Sequence, residues 1–173
     1  MERVPAQQNS VAVASGFLTR AEFNGSVLVD AGGTVLADCG GTLTFTGNVT
    51  NNGVMMADNG SVLESSGTLA NNGKILLFNG STTNFHGTFS NNGSVLNAGT
   101  VRISNVTRAA NDVLIQIPSV TGFTYRLQLT PSLQPPAWTD SGPAQPGTGG
   151  VLTFTEPSST TNALPRFYRI WVQ

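Results

Sequence analysis

The chain has 173 residues, only 10% of them charged, with eight basic and nine acidic side chains and a formal net charge of −1. Ordinary globular proteins carry about 25% charged residues, and this chain has no Lys/Arg run, which excludes a nucleic-acid-binding surface. A single cysteine, Cys39, excludes an internal disulfide framework and a cysteine-rich zinc site, and no stretch approaches the ~18 apolar residues that span a bilayer.

The first predicted element is the segment 1–22. Its opening, MERVPAQQNS, holds no apolar signal core, which leaves the compartment open. The following NSVAVASGFLTRAEF alternates Val11 and Val13 against small residues and then reaches Phe17. Such a strand either caps its own chain or pairs with the next molecule.

From 23 to 108 the chain repeats itself at a step of twenty. Gly33, Gly53, Gly73 and Gly93 form one column; Gly47, Gly67 and Gly87 another; Gly40, Gly60 and Gly80 a third. Apolar columns run between them, among them Val29, Val49, Leu69 and Phe89. The segments between glycines hold four to six residues rich in β-branched types, which is strand length rather than helix length. A short repeat of this kind predicts a β-solenoid whose coils stack about 4.8 Å apart. Gly and Asn are expected at the corners because they tolerate left-handed backbone angles. Stacked corners place Asn52, Asn72 and Asn92 in one amide ladder and Asn59 and Asn79 in a second, with Cys39 in the latter's first slot.

These repeats, phrased as Gly-Thr-Leu, Asn-Asn-Gly and an apolar pair, resemble the right-handed parallel β-helices of bacterial autotransporter passengers and other secreted surface proteins. The resemblance covers about residues 23–106 and implies an extracellular or cell-surface location.

A β-helix can also carry a polysaccharide lyase or hydrolase site, which needs clustered carboxylates with a base or cation. On a uniform twenty-residue coil only Asp38 and Asp58 share an acidic column, so no catalytic site is expected. Those two acids are either solvated corner residues or, with Asn and carbonyl oxygens, a Ca²⁺ shell. His86, the only histidine, reads as an exposed strand residue.

From 109 to 173 the period is lost and proline appears eight times. Longer strands, VLIQIPSV, FTYRLQLT, VLTFTE and RFYRIWVQ, are separated by Gly/Pro turns and predict a small antiparallel β-sandwich. The phrases YRLQLTPSL, AWT, GGVLTFTEP and PRFYRIWV resemble a module that ends many large secreted bacterial proteins with repetitive interiors. That resemblance implies a structural context and no catalytic role.

The expected function is therefore non-enzymatic: a homopolymer joined head to tail by strand pairing, as a fibre or surface layer, with Val11, Val13, Phe17, Phe167 and Trp171 as interface residues. One alternative is a monomeric adhesin that binds extracellular glycans through exposed Trp138 or Trp171. The other is a degenerate polysaccharide-processing β-helix, which needs three ionisable side chains meeting on one solenoid face.

Overall fold

The computed structural model describes residues 10–13, 20–157 and 166–173, with side chains from residue 20 onward. The chain divides into two compact units, Met1–Gly99 and Thr100–Gln173. Apart from one short 3-10 turn at Ala98–Thr100, every regular element among the described residues is a strand.

The first unit opens with β1 (Ser10–Val13) and then winds through about four coils of three short strands. The first coil holds β2 (Arg20–Phe23), β3 (Val27–Val29) and β4 (Thr34–Ala37); the second β5 (Thr42–Phe45), β6 (Val49–Asn51) and β7 (Val54–Ala57). The third holds β8 (Val62–Ser65), β9 (Leu69–Asn71) and β10 (Lys74–Leu77); the fourth β11 (Thr82–Phe85), β12 (Phe89–Asn91) and β13 (Ser94–Asn97). Three parallel sheets result, in the orders β1-β4-β7-β10-β13, β11-β8-β5-β2 and β12-β9-β6-β3. This is a short parallel β-solenoid.

Alternation along each strand sends one set of side chains inward. Met55 and Ile75 stack in one inner column, Leu43 and Leu63 in a second, Val49 and Leu69 in a third, and all six are at most 1% exposed. Each such side chain contributes about 1.5–3 kcal/mol of burial. Phe23 and Phe45 stack with ring centroids 5.2 Å apart.

Successive coils pair at a step of twenty from the second coil onward, and β4 of the first coil keeps that step to β7, but β2 and β3 do not. Arg20 pairs with Thr42 and Val27 with Val49, a step of 22. The expected column of Val29 with Val49 is therefore corrected: Val27 takes that place, and Val29 lies against Asn51. The cause is a wider first corner at Asp30–Gly33, closed by the Gly33 amide donating to the Asp30 carbonyl at 2.8 Å.

The corner glycines serve two different purposes. At Cys39-Gly40, Asn59-Gly60 and Asn79-Gly80 both residues have φ between 45 and 79°, and turns closed by i to i+3 bonds follow. The glycine of the NNG triplet has no positive φ. A Cβ on Gly73 would stand 2.1 Å from the Gly53 carbonyl oxygen one coil away, and one on Gly93 would meet the Gly73 oxygen at the same distance. Close stacking, rather than left-handed geometry, reserves this column for glycine.

The second unit contains β14 (Asn105–Ala109), β15 (Asp112–Pro118), β16 (Thr124–Thr130), β17 (Thr139–Asp140), β18 (Gln145–Pro146), β19 (Val151–Glu156) and β20 (Phe167–Val172). Strands β14, β15 and β19 form one antiparallel sheet. In the other, β20 runs along β16, and the short β17 and β18 share its opposite edge. Ile115, Ile117, Leu127, Leu152 and Phe154 bury the inner faces of both sheets. Tyr125 joins them with its hydroxyl accepting from the Val120 amide at 2.8 Å, the device by which a sandwich corner holds a buried phenol. Because β14 pairs with β15, residues 105–108 belong to this unit, and the division falls after Gly99 rather than at 108.

Candidate functional site

Four surfaces of the described residues gather polar or aromatic side chains. On the solenoid corner, the Asn59 amide donates to Asp38 at 2.8 Å, and the Asn79 amide to Asp58 at 2.7 Å and to Asn59 at 3.4 Å. Each aspartate also accepts from the next backbone amide, at 2.6 Å from Cys39 and 2.7 Å from Asn59. The Asn59 amide, followed by the Cys39 backbone amide, holds the Asp38 carboxyl below its ordinary value. Both acids thus serve as acceptors for the ladder. Among the described residues they gather no third acid, histidine or cysteine as a metal-binding group.

The NNG triplet supplies two ladders rather than one. Outside, Asn72 donates to Asn52 at 3.0 Å and Asn92 to Asn72 at 3.3 Å. Inside, Asn51 donates to Asn71 at 2.6 Å and Asn71 to Asn91 at 2.7 Å. The spare amide hydrogens of Asn51 and Asn71 reach the carbonyls of Lys74 and Ser94, so these buried amides are satisfied as burial demands. Sequence reasoning overlooked this inner ladder, although strand alternation already sends neighbouring asparagines to opposite faces.

This ladder stops at Asn91, which is exposed and whose amide nitrogen has no partner among the described residues. Strands β11, β12 and β13 are each the last of their sheet, and Phe89 beside them is 40% exposed. At the other end, β1 pairs with β4 of its own chain. Val11 and Val13 lie on β1, and Phe17 lies outside the described residues.

A third surface is the outer face of the sheet β2-β5-β8-β11. The 22-residue first step brings Glu22, Thr44, Glu64 and Asn84 into one column. Arg20 lies 3.8 Å from both Glu22 and Glu64, and His86 3.8 Å from Glu64. Thr44 donates to Glu64 at 2.9 Å. Four ionisable groups therefore meet here, a gathering hidden by the assumption of a uniform coil. Arginine opposes both acids, and exposed pairs of this kind contribute at most about 1 kcal/mol.

The fourth surface is the outer face of the sheet built on β16. Register sets Arg126 opposite Trp171, Gln128 opposite Arg169 and Thr130 opposite Phe167, with Asp140 on the far side of Gln128. Gln128 donates to Asp140 at 2.8 Å and accepts from Arg169 Nε at 2.8 Å, while Arg126 pairs with Asp140. The Gln128 amide, then Arg126, hold Asp140 below its ordinary value. The Arg169 guanidinium lies 4.5 Å over the Trp138 ring. Phe167 and Trp171, expected at a subunit interface, are 39% and 48% exposed on this face.

Comparison of the chain with family models, curated proteins and solved structures yields no match in any of the three.

Proposed function

We propose that the protein is a non-enzymatic structural element of the cell exterior whose solenoid joins end to end, through strand pairing, into fibres or a surface layer. The observation that carries this reading is the open fourth coil. The edges of β11 and β12, an exposed Phe89 and an unfinished asparagine ladder lie at one end, and edges with no neighbouring strand among the described residues template the addition of further strands. The low charge supports it, since little long-range repulsion opposes self-association. The likeness of the repeats to autotransporter passengers, and of residues 125–172 to modules of secreted bacterial proteins, supports an extracellular setting.

The sheet orders also give β1 a role in this assembly. One sheet has five strands and the other two have four. If β2 and β3 of an incoming copy lie on β11 and β12, its β4 belongs over β13. Its β1 already occupies that place, so joining all three sheets requires β1 to leave β4. The N-terminal strand is then a cap whose release permits extension.

Negative-stain microscopy and sedimentation of the full chain, of a variant lacking residues 1–13, and of Ser90→Lys test this. Filaments of constant width are expected, forming at lower protein concentration without β1 and abolished by a lysine on the open edge of β12. Discrete particles from all three proteins at every concentration overturn the reading.

A further inference from the structure

Arg169 is held in a way that leaves half of its guanidinium to spare. Its Nε is spent on Gln128 Oε1 at 2.8 Å, and its plane lies over Trp138 at 4.5 Å. Among the described residues no carboxylate pairs with it, and its two terminal nitrogens have no partner there. By contrast, Arg126 on the same face is neutralised by Asp140, and Arg166 pairs with Glu156. Arg169 thus presents a positioned, uncompensated pair of N–H donors, the arrangement that receives a carboxylate through two parallel bonds.

The surroundings narrow what carries that carboxylate. Trp171 and Phe167 flank Arg169 two residues away on either side along β20, about 7 Å each at strand spacing. Both rings are exposed. A shallow, open depression of about 260 Å³ lies along β20 beside Arg169, Ile170 and Trp171. Flat aromatic faces beside in-plane hydrogen-bonding side chains suit a ring that is apolar on one face and hydroxylated at its rim, which is the shape of a pyranose. An acidic peptide meets the charge, and β20 is itself an edge strand, but a peptide strand pairing there has no flat ring face for Trp171 and Phe167 to carry.

We propose that the outer face of this sheet binds a carboxylated polysaccharide, a polyuronate, with Arg169 receiving the uronate carboxylate while Trp171 and Phe167 carry sugar rings. The site does not depend on end-to-end assembly.

Both tryptophans of the chain, Trp138 and Trp171, lie on this face, so intrinsic tryptophan fluorescence reports on it directly. The full chain, kept dilute, is titrated with polygalacturonate, with a neutral galactan and with poly-L-glutamate. A saturable change is expected with polygalacturonate alone, weakened by added salt. Arg169→Gln is expected to weaken binding about tenfold or more, the worth of a charge-assisted hydrogen bond. Trp171→Ala is expected to weaken it severalfold; this exposed ring can be removed without opening the core, which guards against a variant of Arg169 that misfolds. Far-UV circular dichroism verifies the fold of each variant. No saturable response to polygalacturonate, an equal response to poly-L-glutamate or galactan, or unchanged affinity in folded Arg169→Gln overturns the proposal.

Discussion

Placing one methyl group on Gly73 is a direct trial of how the solenoid is held together. In Gly73→Ala the new carbon would stand 2.1 Å from the Gly53 carbonyl oxygen, 2.8 Å from the Asn52 carbonyl carbon and 2.9 Å from the Gly53 nitrogen. All three are backbone atoms that cannot rotate away. Ordinary contact requires the two coils to part locally by roughly 1 Å. The Lys74 amide to the Gly53 carbonyl, at 2.8 Å, and the Gly73 amide to the Asn51 carbonyl, at 2.9 Å, then pass out of hydrogen-bonding range. The buried bond from Asn51 to Asn71, now 2.6 Å, is stretched with them. Two backbone bonds at about 1 kcal/mol each and a strained buried amide at about 1–3 kcal/mol give a loss of roughly 3–5 kcal/mol. In a domain of this size that lowers the melting temperature by about 12 °C or more. Gly60→Asn is the matched control: the site is open, φ is 76°, and asparagine at the adjoining position already adopts φ 51°. Its cost should stay below about 1 kcal/mol. Urea and thermal unfolding followed by far-UV circular dichroism measure both. A Gly73→Ala variant no less stable than Gly60→Asn would refute close coil contact as the reason for the NNG glycine.

Asn71→Ala should cost about 2–4 kcal/mol, since it strands the buried Asn51 donor; Asn72→Ala, on the exposed ladder, should cost under about 1 kcal/mol by the same unfolding assay. Cys39 holds φ 56° in a slot filled by Asn59 and Asn79 in the next coils, so Cys39→Asn should raise stability by about 1 kcal/mol, and a lower melting temperature would contradict the stacked-turn account. Gln128, then Arg126, lower the Asp140 carboxyl below its ordinary 3.8. Its stabilising effect is therefore complete above that unfolded value and is lost as pH falls below it. Asp140→Asn should flatten the acid limb of urea midpoints recorded from about pH 5 to about pH 2; an unchanged limb would remove Asp140 from the folded-state network.

The period of twenty was legible because each coil must restate the same steric demands: glycine where backbones touch, asparagine where chains turn, and an apolar side chain where the strand points inward. What could not be read was where the period slips. Two added residues at the Asp30–Gly33 corner shift β2 and β3 against the rest, which misplaced Val29 and concealed the meeting of Arg20, Glu22 and Glu64. The reason for the NNG glycine was equally hidden, because a corner requiring positive φ and one requiring bare backbone look alike as letters. Asn51 and Asn71 are polar by type, and only strand direction sends them into the core. On the second unit, the alternation of Phe167, Arg169 and Trp171 was plain. The placing of Trp138 under Arg169 depends on β17 and β20 flanking β16 from opposite edges, a pairing with no local signature.

The central claim is that the open fourth coil receives the first coil of another copy, and cross-linking tests it most directly. A chain with Ser90→Cys on β12 and Leu28→Cys on β3, in a Cys39→Ser background, carries one thiol at each end of the same sheet. On oxidation, the account predicts a ladder of covalent dimers, trimers and higher multimers, increased by removing residues 1–13. Only intact monomer, with or without those residues, would contradict it.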